Sequence, residues 1–357
     1  MIKKIIIANI LILCNVFSST INNSLNNKII VPAIDDKYTF LVTGHIYGAP
    51  YKPYAQYPSS SILGNVSNLN SLESKFLILC GDIFRTTNDV QIQNFIDSFA
   101  SNIKFPIFNA VGNHDITDRQ KYESYFGKTY YNFFYGTEVF IFLDTELKSK
   151  KDIDSQINYF KKIISDLILD DKVKNVLVFS HKLIWSQLFN KYNVVFDNVN
   201  SSAGYTDQKY LAEEIINSLK LITKNKNVFW LSGDIGTSRS LPIFYHFDTD
   251  LNLTLIANGI GDTNNDFIIK TDINKSNITF SAINISNYSD ELIDIKDYHL
   301  SYWNTHAKNI MSIESYMKKV KRVLSSKVFY FGFLTGMLIF LIIVAYLFKF
   351  ILHAKLR

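Results

Sequence analysis

The chain has 357 residues, of which 47% are hydrophobic and 15% aromatic, enough apolar material for a large folded domain and too much for a disordered chain. Its formal net charge of +5 misleads until divided, because ten of the 37 Lys and Arg lie in residues 1–18 and 315–357, which contain no Asp or Glu, leaving 27 basic groups against 32 acidic ones in residues 19–314. That mildly acidic body excludes a nucleic-acid groove, and no nucleic-acid partner is expected.

In chain order, residues 1–18 carry Lys3 and Lys4, an uncharged run, and a Val16-Phe17-Ser18 end, the layout of a signal peptide. Residues 19–37, Asn-rich at 22–28, are expected to form a linker to a domain over 38–290. Within that domain, short apolar runs read as buried strands, and each is followed by a polar group: 39–42 by Gly44-His45, 76–80 by Gly81-Asp82, 107–111 by Gly112-Asn113-His114-Asp115, 140–143 by Asp144 and 176–179 by Ser180-His181. Helical periodicity at 90–103, 156–169 and 210–223 alternates with these strands, so an α/β architecture of helix-covered sheets is predicted. Residues 251–289 show further strand-like runs broken by Asn and Asp turns, and 291–327 read as a polar juxtamembrane stalk.

Residues 328–348 are 21 in a row without a charge. At about 1.5 Å rise each they cover roughly 30 Å, one bilayer core, and a single transmembrane helix is predicted, followed by a short basic tail over 349–357. Gly332 and Gly336 form a small-xxx-small pair suited to helix–helix self-association. Five basic residues precede the span (Lys318, Lys319, Lys321, Arg322, Lys327) and three follow it, which by itself would place the domain in the cytoplasm. A cleavable signal commits the domain to translocation before that span emerges, so the domain is expected to face the periplasm or cell exterior. Of the two cysteines, Cys14 would leave with the signal and Cys80 ends a buried run as an inert core thiol.

Polar groups at the C-terminal ends of strands are where open α/β sheets assemble their sites. Gly44-His45, Gly81-Asp82 and Gly112-Asn113-His114-Asp115, followed by Tyr125-Phe126-Gly127, Tyr130-Tyr131-Asn132-Phe133, Gly136 and Phe140-Ile141-Phe142-Leu143-Asp144, resemble in order and wording the calcineurin-like metallophosphoesterases, over about residues 38–260. The resemblance implies a four-layer αββα sandwich with a dinuclear metal centre on loops at its edge. Asp82 would bridge two ions of Mn, Fe or Zn. Asn113, His181 and Asp234 would complete one site, and His45 would serve the other. His114 would donate a proton to the leaving group while Asp115 orients its ring.

Two motifs depart from the family pattern. The opening Asp-x-His reads Thr43-Gly44-His45, and the late Gly-His-x-His reads Gly233-Asp234-Ile235-Gly236, where Asp234 can still ligate and Gly236 cannot. One well-formed and one impaired metal site are therefore expected, with one or two ions bound. The implied function is a membrane-anchored, metal-dependent phosphoesterase acting on a phosphomonoester or phosphodiester near the bilayer through metal-activated water. The alternative is a catalytically weakened member that binds an envelope glycan or protein. Arg85, where the family commonly has an acidic residue, would either hold a phosphate oxygen or form a surface salt bridge, the commoner use of such a side chain.

Overall fold

The described residues form two sheets of six strands each. The structure is a computed structural model that describes residues 24–31, 36–48, 55–199, 206–235, 241–289, 291–307, 332, 335–337 and 340–341. The first sheet comprises β1 (Lys37–Thr43), β2 (Leu77–Leu79), β3 (Ile107–Asn109), β10 (Phe267–Asn274), β11 (Asn277–Asn284) and β12 (Ile293–Asp294). The second comprises β4 (Tyr131–Tyr135), β5 (Glu138–Phe142), β6 (Asn175–Ser180), β7 (Asn227–Ser232), β8 (Ile243–Asp248) and β9 (Leu253–Asn258). β1, β2 and β3 pair in parallel, as do β5, β6, β7 and β9. Parallel pairing carries the C-terminal ends of neighbouring strands to one edge, where the polar motifs follow.

These strands are continuous apolar runs because both of their faces are covered. Between the sheets lies an aromatic layer of Phe40, Phe76, Phe108, Phe133, Phe140, Phe142 and Phe179. The rings of Phe133 and Phe140 stack with centroids 4.8 Å apart, and those of Phe40 and Phe140 meet edge to face at 5.3 Å. On the outer face of the first sheet pack α1 (Asp89–Ser98) and α2 (Arg119–Phe126), through Ile92, Phe95, Tyr122 and Phe126. α3 (Lys150–Leu169) and α4 (Thr206–Leu219) cover the second sheet. α3 buries Ile153, Ile157, Phe160, Ile164 and Leu167, spacings of four and three that keep one stripe inward. The predicted two-sheet mixed α/β class holds. α3 begins six residues before the predicted helix, because Ser149 caps it by accepting the Asp152 N–H and residues 150–152 are charged and exposed.

Two expected boundaries differ. Residues 24–31, assigned to the linker, lie against the domain: Leu25 is buried and its N–H donates to the Ile107 carbonyl at 2.7 Å, adding to the outer edge of β3. Residues 291–307, assigned to the stalk, pack as well. β12 pairs with β11, and α5 (Leu300–His306) inserts the fully buried Trp303, whose indole N–H donates to the Ile243 carbonyl at 2.9 Å. The sequence does not signal this because its buried anchors, Ile295 and Trp303, stand eight residues apart in a largely polar stretch and leave no periodicity. Trp303→Ala is expected to lower unfolding free energy by about 3–5 kcal/mol in chemical denaturation. A loss below about 1 kcal/mol would mean that α5 is not part of the folded unit.

No helix among the described residues is long and apolar enough to cross a membrane. The expected signal peptide, the basic tail and most of 328–348 lie outside the described residues.

Candidate metal centre

Four loops meet above the strand ends, and glycines let them close. A Cβ on Gly44 would stand 2.6 Å from the Gly233 Cα, and one on Gly233 only 1.9 Å from the Cys80 carbonyl oxygen. The loops after β1 and β2 are clipped together by the His45 N–H donating to the Gly81 carbonyl at 2.7 Å. His45 and Asp82 both have φ of 58°, the left-handed region that non-glycine residues avoid, a conformation that costs energy and collects at working sites.

Asp82 is the hub. Its Oδ1 lies 3.4 Å from His181 Nε2 and its Oδ2 lies 3.7 Å from His45 Nε2, so its two oxygens face two different imidazoles. His181 Nε2 also lies 3.9 Å from Asp234 Oδ2. All four side chains are buried. Three imidazoles are pinned the same way, each with Nδ1 against a backbone carbonyl: His45 on Ile260 at 3.1 Å, His181 on Cys80 at 2.8 Å and His114 on Arg85 at 2.7 Å. Such a bond sets the tautomer and leaves Nε2 as the working nitrogen.

Residues present and metal agree at one point above all. His181 Nε2 is shielded from solvent, has no hydrogen-bond partner, and stands between two carboxylates. Two donors about 2.1 Å from a common ion at tetrahedral or octahedral angles lie about 3.0–3.4 Å apart, so the Asp82–His181 spacing fits and the Asp234 spacing is slightly wide. Imidazole and carboxylate donors suit a borderline divalent transition metal. Among the described residues, no group of three or more His, Cys, Asp or Glu is placed so that it could hold a metal ion. Asp82 and His181 are the pair spaced to share an ion, Asp234 stands wider, and His45 faces the other Asp82 oxygen at 3.7 Å.

Electrostatics follow from this crowding. Burial would lower the His181 pKa, but the Asp82 and Asp234 carboxylates outweigh it and raise it to about 10. At Asp82, burial opposes ionisation, yet His181, His45 and His114 hold the carboxyl well below the usual range. Burial dominates at His45 and lowers its pKa despite the same carboxylates.

The other expected residues fall differently. Asn113 is exposed, and no hydrogen bond joins its carboxamide to the cluster. His114 is half-buried, with its backbone N–H on Asp82 Oδ1 at 3.0 Å. Asp115 does not hold the His114 ring. Its carboxylate accepts the backbone N–H groups of Asp82, Ile83 and Gly112 at 2.9, 2.7 and 2.8 Å, so it sets the loop that carries Asp82, and the Arg85 carbonyl holds the ring instead. Burial, then the neighbouring Asp82 charge, push the Asp115 pKa up to about 6. Thr43 is buried with its hydroxyl 3.4 Å from the Phe267 carbonyl, and Gly236 lies outside the described residues.

Sequence reasoning missed Tyr47, whose ring centroid sits 4.4 Å from that of His45 and 4.9 Å from that of His114. It also missed the buried Lys182–Glu146 pair, 2.6 Å apart beside His181. The Lys182 position directly after a candidate ligand was the only signal available for the latter.

Two imidazoles thus face one shared carboxylate, carried on loops after parallel strands of two facing sheets. Residues 60–235 match the calcineurin-like phosphoesterase family, Metallophos. Among solved structures, it resembles a purple acid phosphatase from yellow lupin (Lupinus luteus) seeds, at 12% identity and a TM-score of 0.50, over 74% of this chain and 54% of that one. It also resembles a dimetal phosphatase from Danio rerio, at 13% identity and a TM-score of 0.50, over 72% of this chain and 99% of that one. The chain thus spans about half the length of the lupin protein, and both likenesses concern the fold. Compared by sequence with curated proteins, it matches none.

Proposed function

We propose that the protein is a metal-dependent phosphoester hydrolase held at a membrane surface by residues 328–348, with its domain on the periplasmic or exterior side. The observation that carries the hydrolase reading is the orphaned His181 Nε2 facing Asp82 and Asp234. A bound divalent transition metal would supply positive charge for phosphoryl oxygens and a hydroxide at neutral pH. Asp82 presents one oxygen to each of two imidazoles, so a single carboxylate orders both halves of the site. His181 and His45 keep Nε2 forward because their Nδ1 atoms are spent on carbonyls. His114, held the same way and less buried, presents Nε2 as the atom from which a leaving alkoxide takes its proton.

Membrane anchoring draws support from Met337, Phe340 and Leu341, helical and exposed, and from Gly332 and Gly336, where an added Cβ would meet nothing within 4 Å. The bilayer is then a partner, and self-association through the glycine pair is a further one. The substrate would be a phosphomonoester or phosphodiester of the membrane surface. One observation favours a second reading, a phosphoester- or glycan-binding member with little turnover: the Thr43 hydroxyl faces a backbone carbonyl, so the half-site of His45 lacks a third donor.

Elemental analysis of the full-length protein, with nitrophenyl phosphate hydrolysis before and after chelation, tests the choice. About one transition-metal ion per chain and chelator-sensitive hydrolysis are expected. Bound metal with no hydrolysis of any phosphoester would favour the binding reading, and no metal even after reconstitution would sink the metal-centre assignment.

A further inference from the structure

Resting on the hydrolase reading, we propose that Arg85 grips the terminal oxygens of the substrate phosphate and makes the site selective for phosphomonoesters over diesters. The salt bridge expected of Arg85 is not formed among the described residues. Its guanidinium carbon lies 5.5 Å from the Tyr47 ring centroid, in cation–π contact with the ring that also touches His45 and His114. Its Nη1 is shielded from solvent and has no hydrogen-bond partner. A guanidinium carries five donors and cannot shed its charge, so a shielded unpaired nitrogen is a standing cost that an acceptor would relieve.

The position of the residue says which acceptor. Arg85 follows Asp82 by three residues on the loop after β2, and its carbonyl fixes the ring of His114 on the loop after β3, so guanidinium, proton donor and shared carboxylate are held together by two adjoining loops. The aromatic platform restricts the side chain without neutralising it, which keeps an undiminished positive charge beside the acidic cluster. A planar fork is satisfied by two unesterified oxygens on one phosphorus. A monoester dianion offers three terminal oxygens, so two can meet the fork while a third remains for a metal, whereas a diester has only two, with a single charge, to serve both. The guanidinium therefore discriminates by charge and by the number of terminal oxygens.

The test uses the full-length protein loaded with Mn, nitrophenyl phosphate and bis(nitrophenyl) phosphate as probes, and calorimetric binding of inorganic phosphate. R85A is expected to raise KM for the monoester about 10- to 100-fold, to change kcat/KM for the diester by less than about threefold, and to weaken phosphate binding about tenfold or more, with metal content unchanged. R85K, which keeps the charge and loses the fork, should fall between wild type and R85A on monoester and phosphate. Equal losses on both esters, or undiminished phosphate binding in R85A, would overturn the assignment while leaving the hydrolase reading in place. Wild type that hydrolyses neither ester, but loses phosphate binding on R85A substitution, would do the reverse.

Discussion

Asp82→Asn is expected to empty the centre, dropping bound metal at least tenfold and abolishing any phosphoesterase activity. The substitution preserves shape and removes the charge that faces His181 Nε2 at 3.4 Å and His45 Nε2 at 3.7 Å, so both imidazoles lose their shared partner at once. A pH signature distinguishes this from simple misfolding. In the metal-free protein, His181 has its pKa raised from 6.5 to about 10 by Asp82 and Asp234 against the opposing effect of burial. A raised pKa stabilises the fold fully below about 6.5, and that contribution is lost as pH climbs through about 10. Asp82 works in the other direction: its pKa is held below 3.8, so its contribution is present above that value and lost in acid. Metal-free wild type should therefore lose stability between about pH 6.5 and 10, and the variant should show a flatter profile in thermal unfolding across that window. Metal uptake near neutrality should release a proton from His181 and tighten as pH rises. Superimposable pH profiles for wild type and variant, or metal retained by the variant, would remove Asp82 from its place at the hub.

His114→Ala is expected to lower kcat by about 10²- to 10⁴-fold on esters with alkoxide leaving groups, and to leave bound metal nearly unchanged. The ring is half-buried, anchored through Nδ1 to the Arg85 carbonyl, and touches Asp82 only through its backbone N–H, which alanine keeps. A nitrophenyl ester needs little protonation of its leaving group and should suffer much less. A comparison of the two substrates with metal analysis of the same preparations decides the point. Equal losses on both, or metal lost with activity, would assign the ring a ligating or purely structural role.

The site was legible in sequence to the extent that each polar group directly follows a buried strand. His45, Asp82, His181 and Asp234 all stand just past a strand end, and parallel pairing carries those ends to common edges. Asn113 read as a ligand from its place in a motif, but the loop turns it outward, and spacing in sequence carries no record of that turn. Asp115 read as the partner of the adjacent ring, while its carboxylate is satisfied by three backbone N–H groups, two of them from a loop about 30 residues earlier. Leu25 and Trp303 escaped because isolated anchors in polar segments generate no periodic signal.

By itself the sequence determined the class of fold, the order of its strands' apolar runs and the chemical types available at their ends, because burial on both faces demands continuous apolar strands and glycines must precede loops that approach within a few Å. Only the tertiary structure decided which of those groups meet. Contacts such as Asp82 with His181, or Tyr47 between two imidazoles and under Arg85, join loops from different strands and different sheets. They depend on strand register and on where each backbone carbonyl points to fix an imidazole, and neither quantity is local in the chain.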